Sequence, residues 1–324
     1  MRAPLVRLGC LLSLLIASSA SAVTYEWTPV GSPGNACDPQ SQGCFGAVDH
    51  EYSIGTYEVT NLQYTEFLNA KAAASDPYGL YNTEMGDGGS GAHGGITRIG
   101  SEGSYTYFTT EYRREKPVNW VSFYDAMRFA NWLHNGQGDG DTETGAYTLL
   151  GGTPEPSNGT TVTRNEGARV FVPSQDEWYK AAYHDALDTC AGDYCAYPAG
   201  SSTQTTCAPP SATANRANCS YLAASDLSTR GSYTGSPSPY GTFDQGGNVM
   251  EWNEAIVASL YREYRGGAFF SGYGVLAASF RTYTDPWFEH YGVGFRVALL
   301  PEPGRDLVVI LALLALASLR RVTA

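Results

Sequence analysis

Tyr240-Gly-Thr-Phe-Asp-Gln-Gly-Gly-Asn-Val-Met-Glu-Trp252 packs two adjacent glycines, an asparagine, a carboxylate and a tryptophan into one short run. Glycine lets the backbone take positive φ or approach another group closely. A turn at Gly246-Gly247 can therefore aim several carbonyl oxygens inward. With the Glu251 carboxylate close behind, such a turn offers a site for a hard cation such as calcium. The plainer alternative is a tight turn with Trp252 as a core anchor and Glu251 in solvent. Two further glycine-arginine blocks follow, Arg265-Gly-Gly-Ala268 and Gly294-Phe-Arg-Val297.

Upstream, four segments have helical or strand character. Glu51 to Val59 is aromatic and β-branched and predicts a strand. Thr60 then suits the N-cap of a short helix with Tyr64, Phe67 and Leu68 on one face. Ser122 caps a second helix, with Asp125 three residues on and Ala126, Phe129, Ala130 and Leu133 as its apolar stripe. Ser174 caps a third, with Glu177 in the reciprocal position and Trp178 and Ala182 facing inward. Pro173 makes the break before it sharp. Residues 187–240 lack periodicity and are rich in Ser, Thr, Pro and Gly. The last third alternates strand-like runs, Arg265 to Phe270 and Gly292 to Leu299, with turns. With 37 glycines and 23 tyrosines in the chain, three short helices and many short strands predict an α+β fold with much irregular coil, in a single domain.

The ends carry addresses. Arg2 and Arg7, an apolar run from Leu8 to Ala17 and Ala20-Ser21-Ala22 read as a secretory signal cleaved after Ala22. Pro301-Glu302-Pro303 precedes an apolar run from Leu307 to Leu319 and then Arg320-Arg321. That run is short for a membrane span of about 20 residues, and too apolar all round for a surface helix. The expected layout is residues 1–22 as signal, 23–300 as the folded domain and 301–324 as a sorting or anchor segment. Five of the basic residues lie in these ends, so a chain of net charge −12 leaves a still more acidic domain. Nucleic acid and anionic lipid are poor partners for such a surface.

Cys10 leaves with the signal. Cys37, Cys44, Cys190, Cys195, Cys207 and Cys219 remain, an even number in an exported chain and hence expected as disulfides. Six cysteines allow fifteen connectivities. Chain proximity favours Cys37–Cys44, Cys190–Cys195 and Cys207–Cys219, stapling loops and not the core. The histidines His50, His93, His134, His184 and His290 form no ligand pair at metal-binding spacing. Asp139 to Glu143 lacks the glycine and the closing glutamate of an EF-hand loop, and is expected as a solvated acidic turn.

Gly246 to Trp252 resembles the Gly-Asn-Val-Trp-Glu-Trp signature of the formylglycine-generating enzyme (sulfatase-modifying factor) family. Arg265-Gly266-Gly267 and Gly294-Phe295-Arg296-Val297 follow in the family's order. Tyr57-Glu-Val-Thr-Asn61, Pro117-Val-Asn-Trp-Val-Ser122 and Val172-Pro-Ser-Gln-Asp-Glu-Trp178 resemble its upstream blocks, so the likeness runs from about Gly46 to Leu299. It implies a fold similar to an elaborated C-type lectin. It also implies calcium bound by the backbone oxygens of Gly246, Gly247 and Val249 with the Glu251 carboxylate. A second site is implied at Asn218, the Cys219 carbonyl and Asp226.

Active members carry two cysteines after the Arg-Gly-Gly block, five positions apart, which bind copper and oxidise a sulfatase cysteine to formylglycine. Here those positions are Ser271 and Leu276, and Ala268 replaces the usual serine. A hydroxyl is a poor Cu(I) ligand and an alkyl chain is none, so copper chemistry is expected to be lost. Cys190 and Cys195 have the same spacing but lie far from the matching block. The C-terminal order resembles a PEP-CTERM sorting signal, which implies processing by an exosortase and delivery to the surface or matrix of a Gram-negative bacterium. The expected function is binding, to a glycan or protein of that matrix, with a divergent oxidoreductase of the same family as the alternative.

Overall fold

The computed structural model describes residues 22–86, 93–222 and 225–301. The expected signal, Ala22 apart, and the tail beyond Pro301 lie outside those residues. No helix of the described residues is long and apolar enough to cross a membrane.

Two four-stranded sheets and three helices surround one main core. Strands β1 (Trp27–Val30) and β2 (Tyr52–Gly55) precede helices α1 (Asn61–Lys71) and α2 (Phe123–His134). Strand β3 (Val170–Phe171) leads into α3 (Gln175–Tyr183). Then come β4 (Met250–Val257), β5 (Tyr261–Arg265), β6 (Thr282–Thr284), β7 (Val293–Gly294) and β8 (Ala298–Leu299). The first sheet has the order β1-β2-β8-β3 and is antiparallel throughout. The second has the order β6-β5-β4-β7, antiparallel except for β7, which runs parallel to β4. Three two-stranded ladders and long coil make up much of the rest.

The helix starts are where the sequence puts them. Thr60, Ser122 and Ser174 each accept a hydrogen bond from the N3 amide, and the side-chain oxygens of Gln63, Asp125 and Glu177 each accept one from the cap's own amide. Each box satisfies two otherwise unpaired donors of the first turn. Tyr64, Phe67 and Phe129 then meet Phe295 and Trp132 in a closely packed aromatic core.

Several expectations shift. The strand expected over Glu51 to Val59 is confined to Tyr52–Gly55, where Gly55 still pairs with Trp27 and its carbonyl accepts from Arg296. The run Arg265 to Phe270 is not a strand. The strand precedes it, and Gly266 and Gly267, at φ 94° and 74°, turn the chain away. Gly292 to Leu299 divides into β7 and β8, which join different sheets. In the acidic turn, Asp141 binds the Glu143 amide at 2.9 Å while Glu143 pairs with the buried Arg128 at 2.7 Å, so Glu143 is not simply solvated. The disulfides are Cys37–Cys44, Cys190–Cys195 and Cys207–Cys219, at home in an oxidising environment. They are not all peripheral, since Cys195 and Cys219 are buried and Cys219 packs with Ala217 and Leu276.

Candidate functional site

The glycine turn is welded to three neighbouring segments. Gly247 has φ +89°, and a Cβ there would fall 2.3 Å from the Asn218 carbonyl oxygen, so no other residue fits without moving backbone. Its amide donates to Gly266 O at 2.9 Å, and the Asn248 amide to Asn218 O at 3.0 Å. Asn248, also at positive φ, accepts from the Ser228 amide at 2.9 Å and donates to Glu58 Oε1 at 3.1 Å. The turn thus gathers the Asn218, Gly266 and Glu58 segments around itself. Trp252 is a core anchor as expected, buried and donating to Val121 O at 3.0 Å.

Glu251 is not in solvent. It is fully buried, and its two oxygens receive Arg296 Nε at 2.5 Å and Nη2 at 2.6 Å, with Trp178 Nε1 also at 2.6 Å. Arg296 spends its remaining donors on the carbonyls of Gly55 and Phe243. Two more buried carboxyls face the same guanidinium, Glu58 and Asp244, which sequence reasoning left without a role. Burial pushes Glu58 well above the usual carboxylate range, with Asp244 and Glu251 adding to it. Burial raises Asp244 to about 6. Their signal was available in principle, since Glu58 and Asp244 both lie in the motif blocks that the fold stacks together.

Three buried carboxyls share one guanidinium, and the raised pKa values of Glu58 and Asp244 express the cost of holding negative charge in those low-dielectric surroundings. Glu58 Oε2 and Asn218 Oδ1 are buried and have no hydrogen-bond partner. This surplus of oxygen acceptors fits a hard dication near the Gly246 to Glu251 turn. Both Glu251 oxygens already take Arg296 and Trp178, so a dication there would have to displace part of that contact, with carbonyl oxygens supplying most of the shell. Among the described residues, the side-chain ligand atoms of three candidate residues converge tightly only at Asp185, Cys190 and Cys195. The two sulfurs there are tied in a disulfide, so that group is no metal site.

The second expected site is different. Asn218 and Asp226 are brought together, with Asn218 Nδ2 donating to Asp226 O at 3.0 Å. The Asp226 carboxylate, however, already takes Arg113 at 2.7 Å, Lys116 at 2.9 Å and His93 at 3.1 Å. Burial works against its ionised form, but hydrogen bonds from Lys116 and His93 outweigh it and lower its pKa. Protein cations occupy the place a calcium ion would need, and the Asp226 carboxylate does not fit that role.

Ser271 and Leu276 meet across Gly267, whose Cβ would lie 3.4 Å from Ser271 Cβ and 2.8 Å from Leu276 Cδ1. The backbone therefore brings the two positions to one place. Ser271 Oγ accepts from the Ala268 amide at 3.0 Å. Leu276 is fully buried on Cys219, and its carbonyl accepts from Tyr183. Every cysteine among the described residues is in a disulfide.

Residues 44–300 match the family described as the sulfatase-modifying factor enzyme 1-like domain. No curated protein matches the chain. Among solved structures, Treponema denticola variable protein 1 aligns with TM-score 0.55 at 17% identity, covering 87% of this chain and 98% of its own. The protein titled CarF aligns with TM-score 0.58 at 20% identity, covering 87% of this chain and all of its own. At such identities the two neighbours speak for the fold alone. The match over most of the chain, on the same blocks that the structure stacks around Arg296, makes this protein a member of the sulfatase-modifying factor family.

Proposed function

We propose that this protein is an exported, non-catalytic member of its family that acts by binding a glycan or protein of the extracellular matrix. The observation that carries the reading is the pair Ser271 and Leu276, an alcohol and a buried alkyl side chain at the positions where active members hold thiolates. Cu(I) requires soft ligands, and neither residue is one. The three disulfides support export to an oxidising compartment; the signal sequence, the exosortase-processed tail and a surface or matrix location complete the proposal on the sequence alone. Structural calcium at the Gly246 to Glu251 turn is part of the proposal, supported by the surplus of buried oxygen acceptors there.

The test is direct. Purified protein, loaded with copper and given oxygen and a sulfatase-type cysteine peptide, is expected to yield no formylglycine above a metal-free control. Ser271→Cys with Leu276→Cys is expected to regain copper binding. Conversion of the peptide by the unmodified protein would overturn the reading in favour of a divergent oxidoreductase.

A further inference from the structure

A cleft of about 210 Å3 opens beside the start of α2. Trp287 stands on its rim, 53% exposed. The loop that presents it is held on both sides: the Phe123 amide donates to Pro286 O at 2.9 Å, and the Phe288 amide closes a turn onto Asp285 O at 3.0 Å. A large apolar ring is thus displayed on a fixed backbone, where a merely unpacked side chain would sit on a loose one. Tyr78 also lines the cleft, its ring backed by the Arg128 guanidinium at 4.6 Å.

The cleft also holds Asp125, Glu155 and Glu289. Asp125 Oδ2 is taken by the Ser122 amide at 2.9 Å and hydroxyl at 2.6 Å. Glu289 accepts from Asn82 and is hydrogen-bonded to Asp125. Two carboxyls in hydrogen-bond contact share a proton, so the pair offers both a donor and acceptors and carries one negative charge instead of two. Burial, and then Asp125, push Glu289 up to about 8, in keeping with that shared proton.

We propose that this cleft binds a neutral saccharide, its apolar ring face on Trp287 and its hydroxyls on the Asp125–Glu289 pair. Sugar hydroxyls both donate and accept, as the pair does. An aromatic ring suits the C–H face of a pyranose in the way it suits other apolar surfaces. The volume is below the roughly 300–1,000 Å3 of drug-sized pockets, so one ring enters and the rest of a chain runs outward over the rim. Asp125 and Glu289 do not form a glycosidase pair: such carboxyls stand about 5 Å or more apart, leaving room for the reacting centre, whereas these two are hydrogen-bonded to each other. A cationic side chain is the competing occupant, because Glu155 adds a further carboxylate to the cleft, and a lysine-rich peptide is the probe that tests it.

The inference rests on the binding-module reading and names its ligand class. The formylglycine assay tests that reading independently, so the two can fail separately. The experiment is calorimetric titration of the purified protein with maltohexaose, cellohexaose and chitohexaose, and with a lysine-rich peptide. At least one hexasaccharide should bind saturably. Trp287→Ala should weaken it on the order of tenfold, the upper end of an aromatic contact's worth, without lowering the melting temperature. Glu289→Gln, which keeps the shape but fixes the donor and acceptor, should also weaken it. The proposal is overturned if no hexasaccharide binds, if both variants bind as the parent does, or if only the peptide binds.

Discussion

Replacing Glu251 by glutamine should be among the most damaging single changes in the protein. Its carboxylate makes a two-point contact with Arg296 at 2.5 and 2.6 Å and accepts from Trp178, all three side chains being fully buried. The amide keeps one acceptor oxygen and turns an NH2 towards a donor, so the two-point contact is lost and a buried donor of Arg296 or Trp178 is left without its acceptor. Removing one partner of a buried pair costs about 3–5 kcal/mol. For a domain of this size that is a fall in melting temperature on the order of 10 °C. Calorimetry, with calcium and with chelator, measures it. In the parent, calcium at a hundred times its dissociation constant should add about 2.7 kcal/mol, and that increment should shrink in Glu251→Gln. A companion double variant, Glu251→Leu with Arg296→Met, should recover part of the loss, because it removes both charges together. If Glu251→Gln melts and responds to chelator as the parent does, both the ion-pair account and the calcium assignment are wrong.

Two further outcomes are expected. In denaturant without reductant, a thiol reagent should find no free cysteine in the signal-cleaved protein, because all six are paired; two or more free thiols would refute the pairing. Stability should also fall at both ends of the pH range. Burial works against the ionised form of Glu177, but hydrogen bonds from His50 and Arg164 outweigh it and hold its pKa at about 2. Its contribution is therefore present above its ordinary 4.5 and is lost as pH falls towards 2. Glu289 is shifted the other way, so its contribution is complete below 4.5 and lost as pH rises through about 8. Melting curves from pH 2 to 9 should lose the acid limb in Glu177→Gln and the alkaline decline in Glu289→Gln; unchanged limbs would contradict these assignments.

The local signals were written plainly in the chain. Capping boxes at Thr60, Ser122 and Ser174 are satisfied within four residues, so their chemistry is complete in the sequence and the helices begin where it says. The family blocks were equally legible, since they depend on residue type and short spacing, and chain proximity favoured the disulfide pairs that the structure holds. Extended segments were harder. The strand placed at Arg265 to Phe270 fell instead on Tyr261–Arg265, because strand pairing depends on a distant partner and the two glycines that follow take positive φ.

Charge was the part that only tertiary structure decided. Glu58, Asp244, Glu251 and Arg296 are spread over more than two hundred residues, and nothing local says that three carboxyls will be buried against one guanidinium. Asp226 read as a calcium ligand until the fold laid Lys116, Arg113 and His93 against it. The Asp125–Glu289 pair likewise exists only because the loop after β6 returns to the start of α2. Backbone hydrogen bonds in a capping box are settled by neighbours in sequence. The state of a carboxylate depends instead on solvent exclusion and on cations a few ångströms away, and chain folding alone supplies both.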